Sequence, residues 1–159
     1  MSELRTRKKN RLEGYDYSRN GAYFITVCVK DGHEILWDKK PVGAAFGRPP
    51  LSKVGVLIDA AINKVEDVYD SVKIDHYVIM PNHVHIIIAI DSSGRPKAAP
   101  TISRILNQFK GSITKQLGYS IWQKLFHDHI IRDEAEYKRI WQYIDENPAR
   151  WAEDCYYTV

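Results

Sequence analysis

Residues 74–90, IDHYVIMPNHVHIIIAI, predict two strands joined by a tight turn. Pro81-Asn82 supplies the turn: proline presets φ at the first central position, and asparagine tolerates a left-handed second one. Side chains alternate faces along a strand, so His83 and His85 share one face and Val84, Ile86, Ile88 and Ile90 the other. Ile87 and Ala89 continue the histidine face. A strand apolar on both faces belongs in the middle of a covered sheet. Two imidazoles on one buried face, about 7 Å apart along the backbone, can converge on one metal ion. A hydrogen-bonded core pair leaves the same pattern. Spacing alone does not decide for the metal, but imidazole is expensive to bury without a partner, and two of them on an otherwise aliphatic strand strengthen that reading. A two-residue turn sets Met80 against His83, Val78 against His85 and His76 against Ile87. His76 therefore shares the metal face, where a hydrogen-bonded core histidine is expected rather than a group orienting a ligand.

Outward from this hairpin, residues 51–69 have apolar side chains at three- and four-residue steps (Leu51, Val54, Leu57, Ile58, Ala61, Ile62, Val65, Val68) and predict an amphipathic helix. Residues 22–29, AYFITVCV, predict a strand. Asp31-Gly32 is a turn signal, with residues 33–37 expected to return as a short strand. Residues 39–50 hold three prolines and two glycines and predict a loop, as do residues 91–100. Thr101 caps a second helix with Ile102, Ile105, Leu106, Phe109, Ile113 and Leu117 on one face, ended by Gly118-Tyr119. Residues 122–132 contain another strand. Asp133 and Glu136 start a third helix in the manner of a capping box, and Pro148 stops it near Asn147. Helices segregated from a mostly antiparallel sheet predict an α+β sandwich of the ferredoxin or RNA-recognition-module kind.

The chain of 159 residues is expected to form one domain with a sizeable core. A net charge of +3 and a pI of about 8.8 lean mildly toward polyanionic partners. Residues 1–17 carry Arg5, Arg7, Lys8, Lys9 and Arg11 and read as a loosely ordered basic arm, either tracking phosphates or simply solvated. Cys28 and Cys155 form no metal or redox motif and read as reduced thiols of a cytoplasmic protein. The N-terminus has no apolar signal core, and the longest apolar run, residues 86–90, is far too short to span a membrane.

On the third helix, Tyr143 and Asn147 stand four residues apart on one face, flanking the apolar stripe of Tyr137, Ile140 and Ile144. Taken alone, a tyrosine at a stripe edge reads as packing with a wet hydroxyl. Together with the hairpin it carries more. The stretch MPNHVH at residues 80–85, followed by YIDENP at residues 143–148, resembles the single-tyrosine HUH transposases. These include the insertion-sequence and REP-associated tyrosine transposases. Residues 126–132, FHDHIIR, match that family's strand before the last helix, and the likeness runs from about residue 23 to residue 151.

The resemblance implies metal-dependent cleavage and strand transfer of single-stranded DNA, as in DNA transposition. His83 and His85 would hold Mg²⁺ or Mn²⁺, with Asn147 as third ligand, and Tyr143 would be the nucleophile that forms a 5′-phosphotyrosine link. The implied substrate is hairpin-forming DNA. The resemblance also implies a possible homodimer, with the tyrosine helix serving either its own or a partner's metal site. Arg95, Lys97, Arg104, Lys110, Lys115 and Lys124 are candidate phosphate contacts, or equally solvated surface cations. His127 and His129 also alternate on a strand; either could orient a ligand, but the expectation is structural, with Asp128 and His129 satisfying polar groups at the strand edge. Two other readings compete. One is a non-catalytic or domesticated single-stranded nucleic-acid-binding module, although no RNP-like Gly-aromatic motif is present. The other is a metal-dependent hydrolase without covalent chemistry.

Overall fold

The computed structural model describes residues 21–38, 50–91 and 100–153. The basic arm, most of the 39–50 loop, Arg95, Lys97 and Cys155 lie outside the described residues. Strands β1 (Gly21–Cys28), β2 (Val72–Ile79), β3 (His83–Ile90) and β4 (His127–Ile131) form one sheet in the order β2-β3-β1-β4. Every neighbouring pair is antiparallel. Helices α1 (Lys53–Val68) and α2 (Ile102–Leu117) cover one face, and α3 (Glu134–Glu146) covers the other. The order β1-α1-β2-β3-α2-β4 is the expected α+β sandwich, with α3 added behind the sheet.

Two cores result from this layering. Val84, Ile86, Ile88 and Ile90 of β3 join Tyr23, Ile25 and Val27 of β1 against α1 and α2. Each fully buried aliphatic side chain of this kind contributes roughly 1.5–3 kcal/mol. On the other face, Val78, Met80 and Ile87 meet Ile144, with Tyr137, Ile140 and Trp141 packed around them. Side-chain oxygens cap all three helices: Ser52 accepts from Gly55 N, Thr101 from Arg104 N and Asp133 from Glu136 N. Gly55 is required by a close approach, because a Cβ there would stand 2.3 Å from the Leu36 carbonyl oxygen. Gly118 ends α2 with a φ of 84°.

Two expectations fail. Residues 33–37 form no return strand. A 3₁₀ turn, Lys30–Gly32, is followed by extended chain whose one ladder contact is an isolated Trp37–Leu51 bridge. The reason is topological: β1 is flanked by β3 and β4, so neither edge is open to a third strand. Leu36 instead plugs the core, its N–H donating to the Pro81 carbonyl at 3.0 Å. Asn82, expected to be left-handed, has no positive φ. Its side chain is turned inward and is buried. Among the described residues no helix is long and apolar enough to cross a membrane.

Candidate active site

The register follows the hairpin reading at the histidines: Val78 lies opposite His85, His76 opposite Ile87, and Met80 N donates to His83 O at 2.8 Å. A register shift at Asp75 adds a bulge that the sequence did not announce. His83 and His85 are 0% and 2% exposed. Their Nε2 atoms face each other at 3.1 Å. Asn82 Oδ1 stands 2.8 Å from His83 Nδ1, and Thr26 Oγ1 stands 2.8 Å from His85 Nδ1. Thr26 is directly opposite His85 in the β1–β3 ladder, so the two share a face. Sequence reading passed over both polar partners. In AYFITVCV, Thr26 is the lone aliphatic hydroxyl, and that is the signal available beforehand.

Helix α3 and the 3₁₀ segment after it, Pro148–Glu153, run over these rings. The Tyr143 ring lies 5.3 Å from His85, centroid to centroid, and 6.2 Å from Phe24, which stacks on His85 at 5.2 Å. Tyr143 is 42% exposed and thus open to a macromolecular substrate. Trp151 lies 5.9 Å from His83. Asn147 falls between Tyr143 and Trp151 in the chain, one helical turn from each. It is 3% exposed, and its Oδ1 accepts no hydrogen bond.

These groups fit a metal ion. Ligands at 90° around an ion with bonds of roughly 2.1 Å are about 3 Å apart, close to the separation of the two Nε2 atoms. A buried acceptor without a donor, as at Asn147, is costly unless a cation answers it. Burial pushes the His83 pKa down to about 2, helped by the neighbouring His85, and that of His85 down to about 3. Both rings are therefore neutral near pH 7, the form that binds metals. Among the described residues no carboxylate or thiol joins the two histidines as a possible ligand.

Tyr137 is differently placed. Its hydroxyl donates to Asp75 Oδ2 at 2.7 Å, and burial, with Asp75, pushes its pKa up to about 12. His76 is bound by Asp145 at 2.6 Å and stacked on Trp141 at 4.1 Å, so it ties β2 to α3.

No family model matches the chain. It is 30% identical to an uncharacterised protein of Haemophilus influenzae, over 95% of this chain and 93% of that protein, and it belongs to the same family. The solved structure of a REP-associated tyrosine transposase bound to a REP hairpin matches it with a TM-score of 0.63. The fold is that of the tyrosine transposases. In that match the identity is 23%, and the alignment covers 95% of this chain and 74% of the other. A Deinococcus radiodurans protein assigned as a transposase matches with a TM-score of 0.51 at 16% identity, over 86% of this chain and 95% of that one.

Within the tyrosine-transposase fold the remaining predicted residues are dispersed. Arg104, Lys110 and Lys115 belong to α2, across the sheet from the histidines. Lys110 is half-buried, and its Nζ donates to the carbonyls of Gln123 at 2.7 Å and Lys124 at 3.3 Å. That lysine ties α2 to the segment before β4, and burial lowers its pKa. Arg104, Lys115 and Lys124 are exposed. His127 is exposed on β4, opposite Thr26. His129 is bound to Glu136 at the α3 cap, which agrees with the strand-edge reading.

Proposed function

We propose that the protein cleaves and rejoins single-stranded DNA through a covalent 5′-phosphotyrosine link on Tyr143. One observation carries this reading: the Tyr143 ring stands beside His85 with the unsatisfied Oδ1 of Asn147 one turn further along the same helix. His83, His85 and Asn147 would hold a divalent ion, Mg²⁺ or Mn²⁺. When bound, such an ion polarises the scissile phosphate and stabilises the departing 3′-oxygen.

The protein's own part follows from its geometry. The buried neutral imidazoles present lone pairs on a rigid central strand, which keeps the ligands in place. Phe24 and the helix backbone fix the Tyr143 ring while leaving it accessible to DNA. Tyr143 Oη bonds to phosphorus as the P–O3′ bond breaks; the phenol proton is lost and the 3′-oxygen gains one. Attack by a 3′-hydroxyl on the phosphotyrosine reverses these bonds and regenerates the phenol. The phosphodiester energy is conserved, so rejoining needs no ATP.

The substrate class is single-stranded DNA that forms hairpins, a reading supported by the REP hairpin bound to the structurally similar transposase. Arg104, Lys115 and Lys124 supply phosphate contacts away from the cleavage centre. The histidines and the tyrosine of one chain meet directly, so cleavage proceeds without the helix of a second copy.

The test is a denaturing gel of the protein incubated with hairpin-bearing single-stranded oligonucleotides and Mg²⁺ or Mn²⁺. A band of protein joined to the 5′ end of the downstream fragment is expected, absent with chelator and absent in the His83→Ala/His85→Ala variant. Cleavage without any trapped adduct would indicate a metal-dependent hydrolase. Binding without cleavage would indicate a non-catalytic nucleic-acid module.

A further inference from the structure

Beside β2, at the edge of the sheet, a cavity of about 240 Å³ is lined by Trp37, Asp59, Tyr77 and Pro148 together with Val78 and Ile79 of the strand. Pockets for drug-sized ligands usually measure roughly 300–1,000 Å³, so this one suits a single ring system. It adjoins the candidate active site. Pro148 follows Asn147 directly, and the Trp37 ring lies 6.2 Å from that of Trp151, which lies 5.9 Å from His83. Its walls are held in place. Trp37 Nε1 donates to the Ile79 carbonyl at 2.7 Å. The Tyr77 hydroxyl donates to Asp59 Oδ1 and accepts from Asn63 Nδ2 at 3.3 Å. Among the described residues that line the cavity, Asp59 alone is charged.

A carboxylate repels phosphate, so next to a site that handles DNA it serves the bases. Aromatic walls stack on any base; the carboxylate makes the choice. Ionised, it only accepts, and its two oxygens offer about four lone-pair sites, so Tyr77 on Oδ1 leaves room for further donors. On the pairing edge of adenine or cytosine, one amino group stands beside a ring nitrogen whose lone pair would face the carboxylate. Thymine sets a single N–H between two carbonyls. Guanine alone places two donors, N1–H and the N2 amino group, side by side, and a carboxylate can accept both in parallel. We propose that this cavity is a nucleobase pocket that captures an unstacked guanine of the single-stranded substrate, with Asp59 reading N1–H and N2–H between the aromatic walls of Trp37 and Tyr77. The inference rests on the single-stranded DNA reading above. It adds a base-reading site to a protein whose metal-binding groups touch only phosphate.

The test uses the full chain in chelator, where cleavage does not intervene, and short oligothymidylates that carry one central guanine, hypoxanthine, adenine, cytosine or thymine. A uniform flanking sequence lets the central base reach the pocket in any register. Fluorescence anisotropy should show the guanine oligonucleotide binding roughly ten-fold or more tighter than those with adenine, cytosine or thymine, the range of a good two-bond contact to a base. Hypoxanthine, which lacks only the N2 amino group, should lose much of that gain. Asp59→Asn keeps an acceptor for Tyr77 but turns an amide N–H₂ toward the base. It should abolish the preference for guanine while affinity for the all-thymine strand stays the same or rises. Equal affinities across the wild-type series overturn the pocket and leave the cleavage reading standing, because the adduct gel tests that separately. A guanine preference that survives Asp59→Asn overturns the role of Asp59. Should Asp59→Asn fail to fold, hypoxanthine decides in the wild type, and affinity equal to that of guanine overturns the proposal. No binding of any of these strands, with chelator or with Mg²⁺, overturns the DNA reading and the pocket with it.

Discussion

The ring of Tyr143 lies 5.3 Å from that of His85 in the same chain, while Tyr137, six residues earlier on α3, is tied to Asp75 instead. Six residues rotate a helix by about 600°, so the two hydroxyls point roughly 120° apart. A tyrosine whose pKa is pushed up to about 12 is also the harder one to deprotonate. Tyr143→Phe should therefore keep fold, metal binding and DNA binding yet lose the covalent adduct. Tyr137→Phe should keep the adduct and lose about 1 kcal/mol of stability with its hydrogen bond. Mass spectrometry of a trapped complex decides this, and phosphotyrosine on Tyr137 would reverse the assignment.

Asn147 sets stability against function. Its buried Oδ1 accepts no hydrogen bond, and such a group costs about 1–3 kcal/mol unless a cation answers it. Asn147→Leu has similar volume and no polar atom. In chelator it should melt at the same temperature as the wild type or higher, while the upward shift produced by Mg²⁺ or Mn²⁺ shrinks. A variant that melts lower in chelator and retains the full metal-induced shift would mean that the amide is structural.

Much of this centre was legible in residue order, and the parts that were not have specific causes. The histidine face and its register follow from a period of two and a two-residue turn, and β3 conforms to both. The helices follow from apolar periodicity and their caps. Asn82 was read through backbone preference alone, whereas its place is decided by two hydrogen bonds to groups distant in the chain or in the next residue. Thr26 belongs to the site because β1 pairs with β3, a relation between segments some 59 residues apart that periodicity within one segment does not contain. Lys110 looked like its neighbours on α2 until the segment before β4 was placed beside it.

Acid should destabilise the metal-free protein through the buried histidines. Unfolded histidine titrates near 6.5, while the folded rings resist protonation until about pH 2 and pH 3. Between pH 6.5 and about 3 the unfolded chain thus binds protons that the folded one refuses, and stability falls as pH falls. The ceiling for two such groups is about 2.7 kcal/mol per pH unit. Above pH 6.5 both states are neutral and this contribution vanishes. Melting in chelator at pH 7 and pH 5 should show a larger drop for the wild type than for His83→Gln/His85→Gln. Equal drops would show that the rings do not control the acid limb.

DNA affinity should fall steeply with salt, because each neutralised phosphate releases counterions. The structure separates the basic residues that can take part from one that cannot. Arg104, Lys115 and Lys124 are exposed. Lys110 spends its ammonium hydrogens on the carbonyls of Gln123 and Lys124. For single strands each phosphate contact contributes about 0.7 to the slope of log affinity against log salt. Replacing Arg104, Lys115 and Lys124 together with alanine should therefore lower that slope by about 2, with the melting temperature nearly unchanged. Lys110→Met should leave the slope alone and lower the melting temperature, since the carbonyls of Gln123 and Lys124 lose their donor. Fluorescence anisotropy with a hairpin-bearing oligonucleotide across a salt series measures the first effect and thermal melting the second. A slope that ignores the three exposed cations would place the DNA on another face of the sheet, and one that responds to Lys110 would put its ammonium on phosphate.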